Sequence, residues 1–209
     1  MYNTFMANKQ FEPSNFFDLS GFAHADLFDG RQHVWEVLPK LKTYIAAQLG
    51  GEKSIVGEDT VVEEGAFIKG PAIVGKNCYI GHGAYIREHV IIGDNVHIGH
   101  GVEVKNSIII GNTAVAHLNY IGDSIVGSNI NIGGGAKTAN FRLDGQTIRI
   151  KIGEEYVDTG LEKFGAVIGD SSKIGVNAVL NPGTILGKDV SVYPLVSVFG
   201  VHRDGEVIK

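Results

Sequence analysis

The chain is poor in the residues that most often announce a redox compartment or a metal centre. Its 209 residues include one cysteine, one tryptophan and two methionines. A single thiol excludes an intrachain disulfide framework and a thiolate-rich metal site, and the position of Cys78 in the pattern below makes it a small buried packing residue. No stretch approaches eighteen consecutive apolar residues, so no long membrane-spanning helix organises the chain. The start, Met1-Tyr2-Asn3-Thr4, lacks a basic region followed by an apolar run, and the expectation is a cytoplasmic protein. No block of basic residues occurs and the formal net charge is −5, which argues against nucleic acid or an anionic membrane as a partner.

What is present is a repeat. A β-branched residue returns at every sixth position at Val56, Val62, Ile68, Val74, Ile80, Ile86, Ile92, Ile98, Val104 and Ile110. Four places on from these stand small or short side chains, among them Thr60, Ala66, Ala72, Cys78, Ala84, Val90, Val96 and Val102. A period of six fits neither a helix nor a simple alternating strand, and it predicts an all-β solenoid, a left-handed parallel β-helix of hexapeptide repeats. Three hexads close one triangular coil, so residues eighteen apart stack at about 4.8 Å. Six to seven coils would give a rod of about 30 Å.

Around this solenoid, assigned to residues 54–200, the pattern changes. Residues 1–53 form a short helical N-terminal arm: a Phe-rich stretch (Phe5, Phe11, Phe16, Phe17, Phe22, Phe28) that packs on something, then Val34, Leu38, Leu41, Ile45 and Leu49 on one helical face. Pro39 kinks that helix or starts its second part, Gly50-Gly51 stops it, and the expectation is that it caps the first coil. Beyond Ile110 the aliphatic returns after five residues twice, at Ala116, Ile121 and Val126. Residues 139–164 leave the repeat for an alternating stretch that predicts a hairpin or extended loop projecting from the prism. The repeat returns from Ile168 to Val198, and residues 201–209 are expected to cap the far end.

Arg87 and Lys105 are eighteen apart at one hexad position and should stack. Two like charges about 4–5 Å apart cost on the order of 1 kcal/mol in water and more in a cleft, a cost that a bound phosphate would relieve; alternatively both fan into solvent. His117 follows an aliphatic where lower coils carry Gly81 and Gly99. An imidazole of ordinary pKa, about 6.5, can take a proton from an attacking amine, but it can equally be a hydrogen-bonded structural residue. His82 and His100 also stack, with His89 and His97 nearby; zinc needs three or four converging ligands, which the spacing does not supply, and no metal is expected. The glycines of Ile132-Gly133-Gly134-Gly135 leave backbone N–H groups accessible to an oxyanion, although tight corners also demand glycine.

The runs Val102-Glu103-Val104-Lys105-Asn106, Ala116-His117-Leu118-Asn119-Tyr120-Ile121-Gly122-Asp123, Asn131-Ile132-Gly133-Gly134-Gly135 and Thr138-Ala139-Asn140-Phe141 resemble the acetyltransferase domain of the bifunctional glucosamine-1-phosphate acetyltransferase / N-acetylglucosamine-1-phosphate uridylyltransferase family. The resemblance covers about residues 55–200, and the stretch from Asn140 to Ala166 is most similar to archaeal-type members. It implies acetyl transfer from acetyl-CoA to the amine of an amino-sugar 1-phosphate, most simply glucosamine 1-phosphate, in a homotrimer with sites between prisms. It further implies His117 as general base, Arg87 and Lys105 on the sugar phosphate, Tyr120 and Asn131 orienting the sugar, Asn140 on the substrate or thioester, and Gly134 on the thioester oxygen. Acetyl-CoA would meet Gly134, Asn140, Phe141 and Val176. Gly134 stands for a common alanine, Phe141 for a tyrosine and Val176 for a coenzyme-binding serine, while Gln146 and Arg149 replace lysines linked to sugar choice. No nucleotide-binding glycine-rich start precedes the solenoid, so uridylyl transfer is expected to be absent. Other readings are acetylation of galactosamine 1-phosphate or a nucleotide-linked amino sugar, a metal-dependent carbonic anhydrase-like enzyme of the same fold, and a non-catalytic sugar-phosphate-binding scaffold.

Overall fold

A computed structural model describes residues 10–152 and 154–209; Phe5 and the four N-terminal residues discussed above lie outside them. The solenoid expectation is borne out. Short strands pair in parallel into three long sheets that wall a triangular prism. Face A runs from Ser54–Val56 to Val201–His202, face B from Val61–Val62 to Val207–Ile208, and face C from Phe67–Ile68 to Ser197–Val198. Faces A and B have eight strands each, so the rod is longer than expected, about 34 Å over seven steps of about 4.8 Å. The segment after residue 200 is no cap: Val201–His202 pairs with Ile185 and Leu186, and Val207–Ile208 with Ser191 and Val192, extending the prism.

The prism is filled by the sixth-position aliphatics, with Ile80, Ile86, Ile92, Ile98 and Val104 fully buried, and by the small residues between them. Cys78 is buried there; its thiol donates to the Gly93 carbonyl oxygen at 3.1 Å, and burial pushes its pKa up. The phase departs from expectation one step early. Register pairs Ile92 with Ile109 and Ile98 with Val115, so Ile109 and Val115 face inward where Ile110 and Ala116 were expected. The five-residue steps are therefore Val104 to Ile109 and Ile121 to Val126, both at the corner between faces C and A. Buried serines complete these shortened corners: Ser107 Oγ donates to Lys105 O and accepts from the Ser124 N–H, and Ser124 Oγ donates to Gly122 O and accepts from the Ala166 N–H.

The arm does not cap the first coil. Val34–Lys40 is a 3₁₀ segment, and the α-helix α1, Leu41–Leu49, begins just after Pro39 and ends at Gly50 in the left-handed conformation. Leu41, Ile45 and Leu49 join a second apolar cluster with Phe11, Phe17, Phe28 and Trp35 over the outward side chains of face A, including Ile73, Ile91, Ile108 and Ile125. Inward residues of the first coil stay accessible, with Val56 43% and Val62 39% exposed. The insertion contains an antiparallel hairpin, Arg149–Ile152 with Glu155–Asp158. It folds back instead of projecting, and Ile148 and Ile150 are buried in the same cluster as Ile185. Face A is thus covered by arm and hairpin.

Candidate active site

The corner between faces C and A gathers most of the predicted residues. Ile86 pairs with Val104 and Lys105 with Gly122, so Arg87 and Lys105 stack on successive coils as expected. With Tyr120, Asn140, Phe141 and Lys163 they line a cleft of about 370 Å³. Gly122 makes room for the Tyr120 ring, whose hydroxyl would collide with a Cβ there. Asn140 Nδ2 donates to the Tyr120 hydroxyl at 3.1 Å and to the Asp123 carboxylate. Burial raises the Tyr120 pKa, reinforced by the Asp123 charge, so the phenol stays protonated at neutral pH.

The stacked cations do not face each other unscreened. Arg87 donates to Glu103 at 2.8 Å and lies 3.4 Å from Glu88; Lys105 Nζ is 3.4 Å from the nearly buried Asp123 carboxylate. The Glu103 carboxylate beside Arg87 raises the guanidinium pKa further. At Glu88, burial disfavours the charged form, but its own backbone N–H, Lys69 at 3.0 Å and Arg87 outweigh it and hold the pKa at about 2. Lys163, exposed at the return of the insertion, makes no ion pair with the described residues and leaves the cleft with an uncompensated cation. Sequence reasoning missed it, because it lies twenty-three positions beyond Asn140; the one signal was its place just before the repeat resumes.

A second group stands at the corner between faces B and C. The shortened coil moves His117 out of the Gly81–Gly99 column, which Ala116 continues, and into that of His82 and His100. The His82 and His100 rings are parallel at 5.8 Å, and their Nδ1 atoms lie 2.6 and 2.7 Å from the carbonyl oxygens of Glu64 and His82. The carbonyls can only accept, so both Nδ1 atoms carry the proton. His117 breaks this pattern: its exposed ring makes no hydrogen bond with the described residues. The ring rests against Gly134, where a Cβ would lie 2.6 Å from His117 Nε2. The Gly134 N–H likewise has no acceptor among the described residues.

Val176 continues the column above Gly134 and is half exposed. Asn131 is exposed on face B, paired with Ala114 and Lys173, and does not line the Arg87 cleft of its own chain. Phe141 is 51% exposed and also walls a neighbouring cleft of about 540 Å³ with Leu143, Pro182 and Phe199. Among the described residues no three His, Cys, Asp or Glu side chains are grouped to hold a metal ion, and no helix is long and apolar enough to cross a membrane.

One corner of the prism thus carries a cleft of stacked cations and the next an unpartnered imidazole. Residues 68–157 match the GMPPB C-terminal domain. The chain is 39% identical over 78 residues to the bifunctional protein GlmU of Methanococcus aeolicus, covering 37% of this chain and 19% of that protein. It is 34% identical over 80 residues to a bifunctional sugar-1-phosphate nucleotidylyltransferase/acetyltransferase of Sulfurisphaera tokodaii, covering 38% and 20%. The chain thus matches about a fifth of the length of these relatives. Among solved structures, the acetyltransferase domain of PglB from Neisseria gonorrhoeae in complex with acetyl coenzyme A aligns over 86% of this chain and 76% of that one, at 16% identity and a TM-score of 0.37. The resemblance to the GlmU-type proteins therefore stands over 78 to 80 residues, and the match to the GMPPB C-terminal domain over residues 68–157.

Proposed function

We propose that this protein transfers an acetyl group from acetyl-CoA to the amine of an amino-sugar 1-phosphate, with glucosamine 1-phosphate as the first candidate. The observation that carries this reading is the pairing of one cation cleft, built by Arg87, Lys105 and Lys163, with a free imidazole and a free backbone N–H at the next corner. The relatives' names, sugar-1-phosphate nucleotidylyltransferase/acetyltransferase among them, agree with it.

In this mechanism the cations hold the sugar phosphate, while Tyr120 and Asn140 fix the ring, so that little freedom is lost when the amine attacks. The amine nitrogen bonds to the thioester carbonyl carbon. His117 accepts the proton released from the nitrogen, and the Gly134 N–H donates to the oxyanion as it forms. Collapse breaks the carbon–sulfur bond, and the thiolate of coenzyme A takes the proton back from the imidazolium. Phe141 and Val176 offer apolar contacts to the coenzyme, with Val176 supplying no hydroxyl.

The two corners belong to different edges of face C, and Asn131 lies on face B. With face A covered, faces B and C are the surfaces left to meet other copies, and a homotrimer in which the His117–Gly134 corner and Asn131 of one copy approach the cation cleft of the next completes the site. Light scattering at three times the 22.4 kDa chain mass would support this assembly, and a monomer that turns over would refute it.

A second reading has one observation in its favour. The cation cleft shares its Phe141 wall with the apolar cleft bounded by Phe199, which has room for a nucleobase, as a nucleotide-linked amino sugar would require. Release of free coenzyme A with glucosamine 1-phosphate, galactosamine 1-phosphate and a uridine-diphosphate amino sugar separates the two. A kcat/KM tenfold higher for a 1-phosphate supports the first reading; the reverse order replaces it with the second.

A further inference from the structure

The N-terminal arm lies on face A and none of its residues lines the cation cleft, and its cluster of rings would ordinarily be assigned to stability alone. One contact does not fit that assignment. Trp35 is nearly fully buried, with Phe11 at 5.2 Å and Phe164 at 6.1 Å between ring centroids. Phe164 is itself fully buried, and it is the residue on which the insertion returns to the prism.

The backbone of Phe164 is tied to the cleft on each side. Its N–H donates to the Asn140 carbonyl oxygen at 3.0 Å, and its carbonyl accepts from the Gly183 N–H at 3.1 Å. The preceding residue, Lys163, forms an isolated antiparallel bridge with Phe141. The following residue, Gly165, donates to the carbonyl oxygen of Asp123 at 2.9 Å. Asn140, Phe141 and Lys163 are three of the six residues that line the cation cleft, and Asp123 is the carboxylate that holds Lys105. Between Phe141 and Lys163 the described backbone of the excursion makes no hydrogen bond to the prism. Ile148, Ile150 and Leu161 anchor the hairpin to the cluster on face A, and Phe164 is the buried ring next to Lys163, so the position of Lys163 responds to how firmly Phe164 is seated. Segments with few buried contacts open locally at low cost, whereas a ring packed among rings does not.

We infer that the N-terminal arm is a positioning element for the acceptor cleft, acting through the seating of Phe164 against Trp35. The cleft it positions is the acceptor site of the reaction proposed above, and the inference rests on that reading for its kinetic consequence. Trp35 and Phe164 both lie outside residues 68–157, so this coupling belongs to a part of the chain that the family match does not cover.

The test compares Trp35→Leu and Trp35→Phe with Phe28→Leu in the full-length protein. Phe28 is buried in the same cluster, near Phe17 and Phe22, and none of its ring contacts is with Phe164. Two readouts are taken on folded protein, verified by circular dichroism. In hydrogen exchange, Trp35→Leu is expected to lose protection at least tenfold at the Phe164 and Gly165 amides, while Phe28→Leu leaves them as in the wild type. In acetyl transfer to glucosamine 1-phosphate, Trp35→Leu is expected to raise the acceptor KM about tenfold with kcat and the acetyl-CoA KM within twofold, and Trp35→Phe is expected to recover most of the loss. If Trp35→Leu fails to fold, Trp35→Phe carries the test, with a two- to threefold rise in acceptor KM. Unchanged exchange at Phe164 and Gly165, or equal loosening by Phe28→Leu, overturns the inference. A wild type without turnover, together with selective loosening by Trp35→Leu, leaves the positioning intact and overturns the acetyl-transfer reading instead.

Discussion

Asp123 is the residue on which the cation cleft most depends, and Asp123→Asn isolates its charge. The left-handed backbone at this position, φ 49°, is one that asparagine tolerates, so the substitution adds no backbone strain, as alanine would. The side chain is 4% exposed and accepts from Asn106 Nδ2 at 2.8 Å, from Lys105 Nζ at 3.4 Å and from Asn140. In the variant one oxygen remains, and an amide N–H faces groups that are themselves donors. Hydrogen bonds to a charged group contribute about 1.5–3 kcal/mol each, and removing one partner of a buried ion pair costs about 3–5 kcal/mol. Because Lys105 retains 17% exposure and can turn toward water, the lower end applies, about 3 kcal/mol. For a chain of this size that is a fall in Tm of about 6–12 °C, measurable by calorimetry or urea titration. The freed Lys105 and Asn140 should also raise the acceptor KM about tenfold. A variant within about 0.5 kcal/mol of wild type, the range of ordinary surface changes, would refute the argument that Asp123 organises the cleft.

Three further outcomes follow from the same geometry. Glu88 has a folded-state pKa lowered to about 2, so its stabilising contribution is present in full above its ordinary pKa of 4.5 and is lost as pH falls through about 2. Urea titrations should therefore find Glu88→Gln less stable than wild type at pH 7 and the two converging near pH 2; an equal gap at both pH values contradicts the assignment. Gly134→Ala must push the His117 ring aside, and kcat should fall on the order of tenfold with Tm within about 2 °C, the equivalent of about 1 kcal/mol or less; unchanged kcat would show that the ring contact has no role in turnover. Lys163→Met should raise the acceptor KM about tenfold and leave the acetyl-CoA KM unaltered, and equal rises in both would contradict its place on the acceptor.

The solenoid was legible because β-branched residues recur in one phase that no other period explains. It failed at Ile108-Ile109-Ile110, where three identical residues carry no phase, and the error propagated to Ala116 and hid the shared column of His82, His100 and His117. The serines at 107 and 124 were the available signal, since a polar residue had arrived one step early at a small-residue position. The covered face was also written in the chain. Outward residues of face A are Ile73, Ile91, Ile108, Ile125, Val167 and Ile185, whereas face B carries His97, Asn131 and Lys173 in the same place. A row of outward aliphatics calls for a cover, and the Phe-rich arm, whose lack of period concealed its destination, supplies it. Arg87 and Lys105 were legible because they keep registry, and Tyr120 through the motif resemblance alone; Lys163 escaped because it comes from an insertion that has no registry.

The most direct test of the central claim is release of free coenzyme A from acetyl-CoA with glucosamine 1-phosphate, wild type beside His117→Ala. Loss of a general base costs about 10²–10⁴-fold, so the account predicts wild-type turnover that falls at least about a hundredfold in the variant with the fold intact. Turnover within tenfold of wild type in His117→Ala would contradict the role of His117, and no turnover in the wild type would contradict the acceptor.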